Sequence, residues 1–248
     1  MTLLVLFGVY ALTLSIALGW AGHWSRAGAS SEVPARRPTK ILIIGATGGT
    51  GRQLVAQALE RGYTVTALVR NPKQLRLDDS QLKIVQGDIL HGDTVDAAMR
   101  EQDAVVSALG HKQFFRPTRI LSQGTRTILR AMEAHGVPRF VCETSLGIGD
   151  SVGRMGLYYT LFVIPLILPF YYWDKTRQER IIAESRLQWV IVRPAMLTNG
   201  DRRGRVRHGH RVGSFVWTRT ISRVDVAAFM LDQLESDANL RTAPGVCG

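Results

Sequence analysis

The chain has 248 residues, a net charge of +11 and 46% hydrophobic residues, enough for one α/β domain with a sizeable core plus an appendage. Two cysteines, Cys142 and Cys247, exclude a disulfide framework, and no Cys/His cluster has metal-ligand spacing, so no metal is expected. A balance this basic suits nucleic acid, anionic lipid or a phosphorylated ligand, and the placement of the charge decides among them.

Residues 2–21 carry no charged side chain, about the length that crosses ~30 Å of hydrocarbon. Trp20 and Trp24 suit the membrane interface. A signal peptide cut at Ala27-Gly28-Ala29 is the competing reading, but it would lack a basic start and its apolar run is too long. An uncleaved transmembrane helix over 1–24 is therefore expected. Arg26, Arg36, Arg37 and Lys40 follow it, which puts the body of a single-pass protein in the cytoplasm. Residues 25–39, rich in Ser, Pro, Ala and Arg, read as a linker.

From Lys40 onward strand and helix patterns alternate, predicting a Rossmann-type doubly wound parallel sheet over 40–248. Strands are expected at 41–44, 64–69, 82–85, 104–109, 140–143 and 189–192. The first helix buries Leu54, Val55, Ala58 and Leu59 and ends at Gly62. Asp93 would cap a helix carrying Val95, Ala98 and Met99. Further helices are expected over 118–135, closed by Gly136, and over 174–186. A last helix would start at the capping box Ser222-Arg-Val-Asp225 and run to 234.

The first strand runs into Gly45-Ala-Thr-Gly-Gly-Thr-Gly51, with Gly45, Gly48 and Gly51 three apart. Bare backbone at Gly45, Thr47, Gly48, Gly49, Thr50 and Gly51, followed by a helix start, is what a dinucleotide's diphosphate needs. The strand–turn–helix context raises the pattern above a glycine-rich turn that merely packs helix on sheet. The second strand ends at Arg70, where an NAD site carries an acid for the ribose hydroxyl. A cation there, with Arg52 nearby, argues for NADP. Asp88, before Ile89, could accept from an adenine amino group. Ala108, Leu109 and Gly110 would let backbone approach the cofactor.

The ordered motifs GATGGTG (45–51), LVR (68–70), GD (87–88), SALG (107–110), VCETS (141–145) and VRP (192–194) resemble the atypical branch of the short-chain dehydrogenase/reductase superfamily. Within it the chain is similar to the NAD(P)H-binding group that includes biliverdin-IXβ/flavin reductase-like and NmrA-like proteins. The resemblance covers about 40–234. It implies a Tyr-x-x-x-Lys pair, matched by Tyr171 and Lys175 at helical spacing. Lys175 would hold the nicotinamide ribose and Tyr171 would donate a proton. Ser145, or Thr144, would polarise the reacting group, and Thr144 and Pro194 would border the cofactor. Tyr172 is the alternative phenol.

Residues 155–173 are uncharged, yet a membrane span there would split the sheet, and Pro165 and Pro169 break a straight helix. A buried lid, a self-association surface and a loop touching lipid remain, of which lipid contact is favoured. The basic stretch from Asp201 to Arg211 has no recognised nucleic-acid module. It reads as a headgroup contact or as a charged loop or edge hairpin. The expected function is a membrane-anchored reductase using NADPH on a small apolar acceptor such as a quinone, flavin or carbonyl compound. The alternative is a non-catalytic cofactor-binding redox sensor or membrane-complex assembly factor. A nucleotide-sugar epimerase or dehydratase is a weaker reading, because little chain is left for a larger substrate domain.

Overall fold

In the computed structural model, which describes residues 8, 10, 11, 38–111 and 113–248, the apolar run after Lys40 forms strand β1 (Lys40–Ile44). Its side chains alternate between two cores. Ile41 and Ile43 face one, Leu42 and Ile44 the other, as a strand covered on both faces requires. β1 pairs in parallel with β2 (Thr64–Val69) on one side and β4 (Ala104–Ser107) on the other. β3 (Leu82–Gln86) lies outside β2, while β5 (Arg139–Glu143) and β6 (Gln188–Pro194) continue beyond β4. The order 3-2-1-4-5-6 places the reversal of winding between β1 and β4, where ligands of open α/β sheets bind.

Helices α1 (Gly49–Glu60) and α5 (Arg223–Asp232) cover one face. Helices α2 (Gly92–Met99), α3 (Ile120–His135) and α4 (Pro169–Glu184) cover the other. Gly136 closes α3 in the left-handed conformation, as its position predicts. Ser222 caps α5, accepting from the Asp225 amide at 3.0 Å. At the start of α3, Asp174 from α4 accepts from the amides of Leu121 and Ser122 at 2.9 and 3.2 Å, capping a neighbouring helix across the fold.

Several expectations are corrected. α4 begins at Pro169 rather than 174, because proline is well placed in a first helical turn. Asp93 lies inside α2, whose preceding residue is His91. β4 stops at Ser107, leaving Ala108 to Gly110 as loop. The C-terminal strands went unread: β7 (Met196–Thr198) pairs with β9 (Thr220–Ser222), and β10 (Gly245–Cys247) joins β6 in parallel. β8 (Arg207–Gly209), from the basic stretch, is an antiparallel edge strand against β10, the protected-edge role considered for that stretch. The expected anchor and linker, 1–24 and 25–39, lie outside the described residues except for Gly8, Tyr10, Ala11, Pro38 and Thr39. Among the described residues no helix is long and apolar enough to cross a membrane.

A buried ionic cluster joins α4 to the sheet. Arg193 on β6 makes a two-point contact with Glu179 on α4, at 3.0 and 2.7 Å, and both side chains are essentially inaccessible. Thr144 donates to the same carboxylate at 2.6 Å, and Asp150 binds the outer nitrogen of Arg193. Removing Glu179 takes away the two-point partner of the buried Arg193 and the acceptor of Thr144. Glu179→Ala is expected to lower stability by about 3–5 kcal/mol. Replacing Glu179 and Arg193 together by Met should cost less than the single change, as read by equilibrium denaturation.

Candidate functional site

The crevice opens where the chain leaves β1. Gly45 has φ +79°, and a Cβ there would lie 2.5 Å from the Ala108 carbonyl oxygen. A Cβ on Gly51 would lie 2.0 Å from the Gly45 oxygen, which already accepts from the Gly48 amide at 2.9 Å. The turn is therefore closed tightly upon itself and upon the end of β4. Gly48, the residue before α1, offers no side-chain cap, and the first turn of α1 contains no acid. The opening amides of α1 consequently have no partner within their own helix. They add donors to the positive end of the helix dipole. Thr50 does not use its hydroxyl there, since that group donates to the buried Glu143 at 3.1 Å. This cradle of main chain fits a diphosphate.

A cation that the sequence did not mark also lies against the turn. A Cβ on Gly49 would meet Cδ and Nε of Arg223 at 2.5 and 2.6 Å. Arg223 donates to Asn199 at 2.7 Å. Its approach to Gly49 follows from the packing of α5 on α1, which no local pattern reveals. At the opposite end, Arg70 is exposed just beyond β2. Arg52 donates to the carbonyls of Thr47 and Gln74 at 3.1 and 3.2 Å, tying the turn after β1 to the segment after β2. Asp88 accepts from the Leu90 amide at 3.0 Å, holding the turn after β3. Ile89 is buried, and its side chain occupies the space beside Gly124 on α3. Pro194 is also buried, at the end of β6, and its carbonyl accepts from the Leu146 amide at 2.9 Å. The side chains of Ile89 and Pro194 thus serve packing.

Because α4 begins at Pro169, Tyr171 and Lys175 stand one turn apart on a single helix. The Tyr171 hydroxyl is 3.6 Å from where a Cβ on Gly110 would sit, so it reaches the loop that follows β4. Its ring packs edge-on against His111 and Phe114, with centroids 5.0 and 5.8 Å away. The Lys175 ammonium lies 5.6 Å from the ring centre and donates to the carbonyls of Glu143 and Leu109 at 3.0 and 3.4 Å. Ser145 is bonded to the other phenol: its hydroxyl is 2.9 Å from that of Tyr172, and each lies 3.1 Å from the Leu146 carbonyl oxygen. The expected trio therefore falls into two pairs, Tyr171 with Lys175 and Ser145 with Tyr172. Thr144 is turned into the core by its bond to Glu179.

Burial pushes the Tyr172 hydroxyl above the usual phenol range, a shift that the Ser145 hydrogen bond opposes. Burial also disfavours the Lys175 ammonium, but Tyr171, Cys142, Glu143 and Glu179 outweigh it and hold its pKa above the ordinary lysine value. His111 is shifted down by burial and by Lys175, against the pull of Asp174. Glu143, which the sequence offered only as the polar end of an apolar strand, is pushed up by burial, with Lys175, Thr50 and Arg223 opposing.

A sequence model described as NAD(P)H-binding matches residues 45–237. The photosystem II assembly factor Ycf39 of Synechocystis is 32% identical over 164 residues, 65% of this chain and 46% of that protein. The reductase pytE of Aspergillus terreus is 28% identical over 250 residues, 80% of this chain and 92% of that protein. The chain spans less than two thirds of the length of the first curated relatives it matches. Among solved structures, a wide-type short-chain dehydrogenase/reductase from Veillonella parvula in complex with NADP shares the fold. Its TM-score is 0.70 at 18% identity, over 85% of this chain and 95% of that one.

Gly51→Val should abolish binding of a dinucleotide and cost about 1–3 kcal/mol through overpacking, whereas Gly92→Ala, where a Cβ meets nothing within 4 Å, should do neither. A nucleotide titration and a thermal melt of each variant read both effects. Glu143 gives a pH prediction. Its folded-state pKa is raised above the unfolded value of about 4.3, so its contribution to stability falls as pH rises through that interval. Glu143→Gln should flatten this dependence in denaturation curves taken on either side of it.

Proposed function

The chain belongs to the NAD(P)H-binding family, and we propose that it is a membrane-anchored, NADP-dependent reductase acting on a flat, apolar acceptor. The observation that carries this reading is the shared crevice. The glycine cradle at α1, the Tyr171 hydroxyl and the buried Lys175 ammonium all lie around the ends of β1, β4 and β5. Bound there, the dinucleotide supplies a hydride. The residues supply the rest. The opening amides of α1 hold the diphosphate, and Arg70 with Arg52 receives the ribose 2′-phosphate. Lys175, kept charged between two carbonyls, binds the ribose beside it and steadies negative charge on Tyr171. Tyr171 then gives its proton to the reduced acceptor. Ser145, held by Tyr172, turns its proton from the Leu146 carbonyl to donate a hydrogen bond to the acceptor oxygen. Aromatic rings of His111 and Phe114 beside Tyr171 favour a planar, apolar substrate. The relative named as a reductase, matched over most of its length, supports this assignment. The charge-free segment 2–21 supports the anchor.

A second reading has its own support. A relative named as an assembly factor matches 65% of this chain, and among the described residues the Tyr171 hydroxyl has no hydrogen-bond partner to orient it. In that reading the cofactor stabilises a surface presented to a membrane complex and no turnover occurs.

Thermal shift and fluorescence titration should show NADPH binding at least about tenfold tighter than NADH, with the preference lost in Arg70→Ala. With a quinone or flavin acceptor, Tyr171→Phe should lower kcat by about 10²-fold or more while NADPH affinity is kept. Equal affinities would overturn the role of Arg70. Unchanged turnover in Tyr171→Phe would remove its acid role, and no turnover with any acceptor despite tight NADPH binding would favour the second reading.

A further inference from the structure

The uncharged segment 155–173, read from the sequence as a buried lid, a self-association surface or a loop touching lipid, is joined in the structure to a second apolar stretch. Met155 bridges to Ser214, and the Leu157 amide donates to the Val216 carbonyl at 3.3 Å. A Cβ on Gly156 would meet the Thr218 amide nitrogen at 2.7 Å, so the two stretches pack backbone to backbone. Together they expose Leu157, Phe162 and Leu166 from one stretch and Phe215, Val216 and Trp217 from the other. Phe162 is 50% exposed, Leu166 55%, Phe215 58% and Trp217 71%, high values for side chains of this size and polarity.

We propose that these two stretches form one docking face that seats the domain on an anionic bilayer, with Trp217 and Phe162 entering the hydrocarbon boundary. Three observations select lipid as the occupant. The face adjoins Tyr10, a residue of the charge-free run 2–21, whose hydroxyl donates to the Leu161 carbonyl at 2.7 Å. Its rim is cationic: Arg154 lies 5.1 Å over the Phe215 ring and donates to the carbonyl of Arg211, at the end of the basic stretch. Exposed aromatic and aliphatic side chains beside arginines are the pattern of an interfacial anchor. The inner side of the same segment meets the candidate site. A Cβ on Gly147 would touch Met155, Ile164 and Tyr172 at 3.2 to 3.4 Å, which places the Ser145–Tyr172 pair just beneath the face. Docking goes beyond the reductase reading and needs no turnover. Delivery of an apolar acceptor from the bilayer rests on that reading.

The test uses the full chain in vesicles. Cys142 and Cys247 are buried, so a thiol-reactive fluorophore reports a single introduced cysteine. Val216→Cys and Leu166→Cys label the face, and Glu133→Cys labels the exposed surface of α3. In vesicles of mixed phosphatidylglycerol and phosphatidylcholine, nitroxide-bearing lipids should quench the probes at 216 and 166 at least about twofold more than the probe at 133. The difference should shrink in phosphatidylcholine alone. Equal quenching at all three positions would overturn the proposal, since the N-terminal segment would then merely tether the domain. Self-quenching between labelled copies at 216 would overturn it in favour of a second copy of the chain. Shielding of 216 from aqueous iodide, without lipid quenching, would overturn it in favour of coverage by the N-terminal segment. An unchanged difference in phosphatidylcholine would overturn the role given to the arginine rim.

Discussion

The close approach of Gly45 to the end of β4 governs this structure. Backbone meets backbone at a distance that a single methyl group would forbid, and the same turn folds back until Gly51 touches the Gly45 carbonyl. The contact fixes where α1 begins relative to β1 and β4. It also leaves the first amides of α1 uncapped at the point where the sheet reverses its winding. A diphosphate site costs the fold little further arrangement, because the unsatisfied donors and the positive helix end are already aimed at one place.

The far side of the crevice is built on a different physical basis. Tyr171, Tyr172 and Lys175 sit on α4, and α4 is held to the sheet by the buried Glu179–Arg193 pair and to α3 by Asp174. Such a pair contributes little net stability against an apolar replacement, but it is unforgiving of a missing partner. It fixes the angle of α4 and removes Thr144 from the crevice by engaging its hydroxyl. Which phenol bonds Ser145 thus depends on a charge pair about two turns further along the same helix.

The central strands and the glycine turn were legible because their causes are local: apolar runs, glycine where φ is positive, a serine cap three residues before an acid. The start of α4 was missed because proline and aromatic residues suppress a helix signal that tertiary packing restores. β7, β9 and β10 were missed because three-residue strands carry no periodicity of their own and exist by pairing with other strands of the finished fold. The site was legible to the same degree. The cradle could be read from order along the chain, as could the exposed position of Arg70 past β2, whereas Arg223, Glu143 and the Ser145–Tyr172 bond arise from contacts between distant elements. The apolar face divides similarly: one half stood out as an uncharged run, while Phe215 to Trp217 gained meaning only when the fold laid them beside it.

In the reading proposed above, main-chain amides at the start of α1 receive a dinucleotide's diphosphate. A crystal structure of the chain with NADPH tests it most directly. Diphosphate oxygens are expected within about 3 Å of amide nitrogens at Gly49 to Gly51, with the nicotinamide directed toward Tyr171. A nucleotide bound elsewhere, or an intact turn that takes up none at saturating concentration, would contradict it.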